Sequence, residues 1–517
     1  MGIRLLDCTL RDGGYVNNWN FGKRRIIGVI NGLTSAKLDF VECGFLHNGL
    51  HTEGQSLYCS IEEIKCVLPQ KRERTEYVVM MNSGEFDVTK LDAESDMIFG
   101  IRVVFHEHQA ESAIEECKII QQKGYRAFLQ PMGTDAYSDK SLIELVNKAN
   151  AITPYAFYFV DSLGVMNSDD VIRIALLIHN NLKSGIVMGF HSHNNLQLSF
   201  SNVQTLINMR LKRDLIVDGS TYGMGRGAGN LHTELIAYYL NENFDAYYNV
   251  DQILRVYDGY IRSLREEYVW GYSVPYYLAA IHKCHPNYGS YLLNRGTLPV
   301  PDMGILLSSI AFSDRRLYKE KLIEELYTEY LADKIDDTNA ILKLEKELHE
   351  KALLLLGPGK SLINCQDIIK KHITDNKPIV ISINHVLEMY PIDYTFFSNR
   401  KRFEERRDIN VNYILTSNIK YSENQAIIVD YMTLCNQRGR FSDNSALMLL
   451  SLLQRLGCKN VSVAGVDGDS GNDYYQKDIQ GISDQEWIEE MNTTMTEAIM
   501  QYRQHMDIIF ITPSRYD

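Results

Sequence analysis

Eight times within the first 240 residues, a short apolar run is followed by a longer stretch with apolar residues at helical spacing. This alternation restricts the fold more than any other feature of the chain. The runs span 3–10, 40–45, 77–81, 97–105, 125–130, 157–160, 186–190 and 215–218, with amphipathic segments such as 111–123 and 139–150 between them. Short runs that are apolar throughout suit strands buried on both faces, the situation in parallel sheets. Eight strand–helix repeats therefore predict an α/β fold, a closed (β/α)8 TIM barrel. Polar residues stand at or just after the ends of the runs: Arg11, Asp12, His106, Gln130, Asp161, Ser162, His191 and His193. A barrel builds its site on that carboxyl-terminal rim.

From residue 241 to about 350 the strand signals vanish, stretches 252–267 and 315–334 read as helices, and Tyr268, Trp270, Tyr272, Tyr276 and Tyr277 crowd together. A charged helix over 339–351 bridges to the next domain, and its charges need no functional reading. Alternation then returns, with strands predicted at 379–383, 394–397, 413–416, 426–429 and 461–464 and a helix over 445–456. The expected organisation is a barrel over 1–240, a helical extension and linker over 241–350, and a Rossmann-like open α/β domain over 351–517.

Composition narrows the function. A chain of 517 residues with 45% hydrophobic and 23% charged residues has enough apolar mass for two or three globular domains. Its formal net charge of −13 argues against a nucleic-acid partner, which needs concentrated Lys and Arg. Asn399–Arg402 with Arg406 and Arg407 is a local basic exception, either a solvated face or a hold for a nucleotide phosphate. Nine scattered cysteines without a CxxC fit a reducing cytoplasm, and no run approaches the roughly 18 apolar residues of a membrane span.

Side chains two apart on a strand share a face, so His191 and His193 can aim both imidazoles at one point. Asp12 joins them if strands one and seven of a closed barrel bring it near. Two imidazoles and one carboxylate, with positions left for water and substrate, suit a divalent ion used as a Lewis acid.

Five pieces in barrel order give this N-terminal part a resemblance: Asp7-x-Thr9-Leu10-Arg11-Asp12-Gly13, Val41-Glu42-Cys43-Gly44, Asp161-Ser162-Leu163-Gly164, His191-Ser192-His193-Asn194-Asn195 and Gly223-Met224-Gly225-Arg226-Gly227-Ala228-Gly229-Asn230. It resembles the metal-dependent TIM-barrel lyases and aldolases that include 4-hydroxy-2-oxovalerate aldolase, HMG-CoA lyase and isopropylmalate synthase. The resemblance implies Mn²⁺ or Mg²⁺ held by Asp12, His191 and His193, with Asn230 a further ligand. It implies a 2-oxo acid and an aldehyde as substrates, and Arg11 stabilising the enolate oxyanion. Ser162 is expected at the substrate carboxylate, and Glu42 either at the substrate or satisfying rim arginines. Where the resembling aldolases carry a histidine base, this chain has Tyr15. An unperturbed phenol titrates at ~10, which makes it a poor base near neutrality. His47, His51, His106 and His108 fall near predicted strand ends as other candidates. The loop 222–231 lacks the cysteine of the coenzyme-A lyases, and Gly225-Arg226-Gly227 replaces the Gly-Glu-Arg of the acyl-CoA-condensing synthases. This favours the oxo-acid aldolase branch over a Claisen condensation with acetyl-CoA.

The C-terminal part resembles, more loosely, a Rossmann-like family that includes bacterial sialyltransferases and a pterin pyrophosphokinase-like group. The carriers are Leu356-Gly357-Pro358-Gly359-Lys360-Ser361, Ser382-Ile383-Asn384, Asp393–Phe397 and Ala464-Gly465-Val466-Asp467. The resemblance implies a nucleotide or nucleotide-sugar near Gly357, Gly359, Ser361, Asn384 and Asp467, or else a docking domain in which these residues shape turns. A rival reading makes this domain a glycosyl or nucleotidyl transferase and the barrel an inactive scaffold. Relatives often dimerise through helices outside the barrel, so 241–350 is expected to serve a homodimer.

Overall fold

The computed structural model describes residues 2–69, 74–93, 97–385, 388–406, 411–421, 426–435, 439–468 and 485–517. The chain divides into two compact units, Met1–Pro286 and Asn287–Asp517.

The first unit is a closed barrel of eight parallel strands: β1 (Ile3–Asp7), β2 (Phe40–Leu46), β3 (Glu76–Asn82), β4 (Gly100–Phe105), β5 (Arg126–Pro131), β6 (Ala156–Asp161), β7 (Val187–Ser192) and β8 (Leu215–Gly219). Closure comes from β1, which pairs with β8 on one side and β2 on the other, placing Leu6 opposite both Asp218 and Phe40. Helices cover the outside. Ser168–Asn181 is typical: Asn167 caps it through Asp169 and Asp170 amides, and Val171, Ile174, Ala175 and Ile178 form its buried stripe.

Inside the barrel the side-chain alternation stacks two layers. Leu6, Phe40, Phe128, Val187 and Ile216 make an apolar floor. Two residues further along the same strands stand Glu42, Gln130 and Asp218, all buried, and Arg102 of β4 joins them with no exposure at all. Gly189 makes room for this polar layer, since a Cβ there would meet the Tyr158 ring at 2.2 Å.

One expected strand stops short. The apolar run 3–10 is strand only to Asp7, and Thr9–Asp12 is a helical turn. The Asp7 carboxylate accepts from the Thr9 amide at 2.9 Å and from the Thr233 hydroxyl at 2.6 Å, which bends the chain and clips it beside β8. Burial pushes the Asp7 carboxyl up to about 6. The first unit ends in helical segments over 250–267 and 274–281, followed by Cys284 and His285.

The second unit holds an all-parallel seven-stranded sheet: β9 (Leu353–Leu356), β10 (Ile379–Ile383), β11 (Tyr394–Phe397), β12 (Tyr413–Thr416), β13 (Ala426–Val429), β14 (Asn460–Ala464) and β15 (Asp507–Phe510). Its order is β13-β12-β11-β10-β9-β14-β15, an open α/β sheet that reverses direction between β9 and β14. In the basic stretch Arg400 lies 2.9 Å from Asp302 and Arg402 3.8 Å from Glu405; Arg407 lies outside the described residues. Among the described residues no helix is long and apolar enough to cross a membrane, and all nine cysteines are free.

Candidate active site

The turn after β1 is fixed before it carries any chemistry. Trp19 Nε1 donates to the Arg11 carbonyl at 2.8 Å and the Ser56 hydroxyl to the Leu10 carbonyl at 2.7 Å. So anchored, the turn points Asp12 towards the end of β7. There Asp12, His191 and His193 bring one ligand atom each within 4.8 Å of one another, a group able to hold a metal ion. The two imidazole rings stand at 89° with centroids 5.1 Å apart, as expected for residues two apart at a strand end.

Behind these groups lies a chain of alternating charge. Arg11 donates through Nη1 to Asp12 at 2.5 Å and through Nε to Glu42 at 2.8 Å. The other Glu42 oxygen meets Arg102 Nη1 at 2.9 Å, and Arg102 in turn pairs with Asp218 and donates to Gln130 at 2.6 Å. Asp218 also accepts from Tyr158 at 3.1 Å and faces His191 Nδ1 at 3.1 Å. A carboxylate on one imidazole nitrogen fixes the tautomer that leaves the other nitrogen as a lone-pair donor.

Among the buried polar atoms here without a hydrogen-bond partner are His191 Nε2, Asn230 Oδ1 and Arg11 Nη2; Arg102 Nε is another, and Glu42 Oε1 and Arg102 Nη1 meet only as an ion pair. Asn230 is held by its amide nitrogen, which donates to Asp12 at 2.5 Å and to the Met224 carbonyl at 3.1 Å, so its oxygen is the free end. An orphaned buried acceptor costs about 1–3 kcal/mol, and two of them beside a carboxylate match a cation site. The donor set of imidazole, carboxylate and amide oxygen suits a divalent cation.

The electrostatics agree. Burial alone would raise the Asp12 carboxyl, but the Arg11 guanidinium, and then His193, His191 and Arg226, hold it well below the usual carboxylate range. Burial pushes His193 down to about 3 against the pull of Asp12, leaving a neutral imidazole at physiological pH. Burial would likewise raise Asp218, and Arg102 outweighs it.

The remaining sequence-derived candidates divide. Glu42 has both oxygens committed to Arg11 and Arg102, which places it in the ion-pair chain. Ser162 accepts from the Gly133 amide at 2.9 Å, linking the ends of β5 and β6. Tyr15 packs edge-on against Trp19 and lies beneath the Arg226 guanidinium, 3.9 Å from the ring centroid. His47 accepts from the Gly49 amide, His51 bonds the Leu57 carbonyl, and His106 stacks on His108; none of the four is hydrogen-bonded to the metal-ligand group.

In the second unit, the five candidate residues sit at the carboxyl edge of the sheet and each is hydrogen-bonded within the protein, Ser361 and Asp467 to each other. Gly357 and Gly359 donate to the Ala464 and Gly465 carbonyls at 2.8 and 2.7 Å. The Asp467 carboxylate takes the Ser361 amide at 2.8 Å, the position a phosphate would need. Asn384 accepts from the Ser398 and Asn399 amides and donates to Ser445.

Sequence reasoning passed over Arg102, Asp218, Arg226 and His285. Arg102 did have a signal, a lone guanidinium in the middle of an apolar run.

Residues 2–258 match the HMGL-like family model. The 4-hydroxy-2-oxovalerate aldolase of Pseudoalteromonas translucida is 25% identical over 305 residues, 56% of this chain and 87% of that protein. The enzyme of that name from Carboxydothermus hydrogenoformans is 28% identical over 241 residues, covering 45% of this chain and 69% of the relative. Among solved structures, the HMG-CoA lyase of Brucella melitensis is 14% identical, covers 51% of this chain and 99% of its own, and superposes with a TM-score of 0.42. The barrel of this chain, residues 2–258, belongs to the HMGL-like family.

Proposed function

We propose that the barrel is a divalent-metal-dependent aldolase or lyase that makes or breaks a carbon–carbon bond of a 2-oxo acid through a pyruvate-type enolate. The observation that carries this reading is the convergence of two orphaned buried acceptors, His191 Nε2 and Asn230 Oδ1, with the Asp12–His191–His193 group. Those four residues would hold Mn²⁺ or Mg²⁺, which as a Lewis acid polarises a keto oxygen. Arg11 keeps one buried nitrogen, Nη2, free to donate to the oxyanion that develops there. Asp218 holds His191 in the tautomer with a free Nε2. In the cleavage direction the proton leaves the 4-hydroxyl and the C3–C4 bond breaks as the aldehyde carbonyl forms. The bond's electron pair passes into the enolate, and protonation at C3 gives the pyruvate methyl group.

The relatives named 4-hydroxy-2-oxovalerate aldolase support the oxo-acid branch, as does a 222–231 loop without cysteine. The rival with an inactive barrel finds less support, because the orphaned acceptors lie in the barrel while the five candidate residues of the second sheet already have hydrogen-bond partners within the protein.

The test is loss of deuterium from the methyl group of labelled pyruvate, with metal content measured in parallel. Manganese-stimulated exchange is expected, reduced at least about 100-fold in Asp12→Asn and His193→Ala while circular dichroism stays native. Exchange that ignores metal, or that survives in His193→Ala, overturns the reading. Thiol release from acetyl-CoA would move it to the condensing branch.

A further inference from the structure

Arg226 differs from every other guanidinium at the site. Arg11 pairs with Asp12 and Glu42, and Arg102 with Glu42 and Asp218. Arg226 has no ion-pair partner among the described residues. Its two contacts are neutral: Nη1 donates to His285 Nε2 at 2.9 Å, and the guanidinium lies over the Tyr15 ring, 3.9 Å from the centroid. Burial, then Arg226, then His193 push His285 down to about 3, so it stays an uncharged acceptor. The guanidinium is thus clamped by an imidazole and a π-face, with no carboxylate in ion-pair contact among the described residues.

Its position is equally defined. A Cβ at the preceding Gly225 would meet Asp12 Oδ2 at 2.7 Å and Asn230 Nδ2 at 2.3 Å, so the loop backbone runs against the metal-ligand group and Arg226 follows directly. Gly227 and Gly229 hold the loop in the left-handed region, at φ of 64° and 78°. Arg226 is partly exposed, and its hydrogen bond to His285 uses one nitrogen of the planar fork. Asp12, Glu42 and Asp218 balance Arg11, Arg102 and Arg226 in formal charge, so a divalent cation leaves the site two charges positive. A monoanionic 2-oxo acid would offset only one of them.

We propose that Arg226, positioned by Tyr15 and His285, binds a second anionic group on the substrate, so that the aldehyde partner carries a carboxylate or phosphate of its own. This rests on the aldolase reading and names its acceptor class. A fork of guanidinium donors fits either anion bidentately.

The experiment measures kcat/KM for pyruvate addition to three aldehydes on the metal-loaded full chain: propanal, succinic semialdehyde and glyceraldehyde 3-phosphate. The wild type is expected to prefer at least one anionic aldehyde over propanal by about 100-fold, and Arg226→Gln to cut that ratio by at least about 30-fold, mainly through KM. Whichever anionic aldehyde is preferred identifies carboxylate or phosphate. A wild-type ratio near one, or an Arg226→Gln ratio equal to that of the wild type, overturns the proposal.

Calorimetric binding of succinate and of inorganic phosphate to the same proteins needs no turnover. It separates failure of this proposal from failure of the aldolase reading. At least one anion should bind wild type about 10-fold more tightly than Arg226→Gln; equal affinities for both sink the anion site even if pyruvate exchanges normally. Tyr15→Leu and His285→Leu keep the charge and release the clamp. Both are expected to raise KM for the anionic aldehyde more than for propanal, which a purely structural role would not do.

Discussion

At the scale of single residues, the barrel interior is a problem of charge satisfaction. Arg102 has no solvent exposure and is held by Glu42, Gln130 and Asp218. Asp218 is the joint of this chain, because it answers Arg102, Tyr158 and His191 together. Asp218→Asn removes the charge while nearly keeping the volume. It should cost about 3–5 kcal/mol of stability, the penalty for stranding a buried guanidinium, and weaken metal affinity about 10–100-fold through a misoriented His191. Denaturant unfolding and chelator competition read the two effects. Unchanged metal affinity would mean that Asp218 serves Arg102 alone. Asp12, His191 and His193 had a signal in the sequence, in positions after apolar runs and a two-residue spacing, whereas Asn230 was reached only through the family resemblance. Asp218 and Arg102 were not legible there, since each needs the barrel closed before its partner is known. His285 had no signal at all: nothing in a chain separation of 59 residues links it to Arg226.

At the scale of elements, strand positions in the interior of both sheets followed from apolar runs, and the differences arise at strand ends. Residues 8–10 are as apolar as a strand, yet Asp7 turns them into a helical bend; an apolar run alone does not separate a strand from a short buried helix. Strand β15 escaped notice because Ile509 is exposed and the element alternates between solvent and core. Strand β6 offers a measurable consequence of its end. Asp161 accepts from the Val165 and Met166 amides at 2.8 and 3.0 Å, yet burial pushes its carboxyl up to about 7. A buried acid with a raised pKa favours folding in its protonated form. Its share of stability is therefore complete below the unfolded value near 4 and is lost as pH rises through 7. Unfolding free energies of wild type and Asp161→Asn should diverge with pH: from pH 4 to pH 8 the wild type should lose up to about 4 kcal/mol relative to the variant. A difference that is flat in pH would show that the two amide bonds already keep the carboxylate ionised. Asp7, raised to about 6, adds a smaller effect of the same sign in both proteins.

At the scale of the whole molecule, the chain carries two parallel sheets, each with a carboxyl edge where α/β proteins place ligands. The edges are finished differently. The barrel leaves His191 Nε2, Asn230 Oδ1 and Arg11 Nη2 buried and unpartnered, whereas the residues at the β9–β14 reversal point satisfy each other. Glycine spacing placed Gly357, Gly359 and Ser361 at that point, but the sequence did not say that Asp467 would return to occupy their turn. A Cβ at Gly359 would meet the Asp467 carboxyl carbon at 2.5 Å, so the glycine admits the carboxylate against the backbone. Two roles for Asp467 then have opposite signatures in stability. If the carboxylate closes the turn, Asp467→Ala orphans the Ser361 amide and should destabilise the protein by about 1–3 kcal/mol, with Asp467→Asn intermediate because its oxygen still accepts. If the carboxylate is kept for a ligand such as the hydroxyls of a nucleotide, it is held at a cost, and its removal should leave stability unchanged or raise it. Self-satisfaction of the edge favours the first outcome. Thermal unfolding in the order wild type, Asn, Ala would assign Asp467 to the architecture of the sheet, and a stabilised Ala variant would return the β9–β14 edge to consideration as a second binding site.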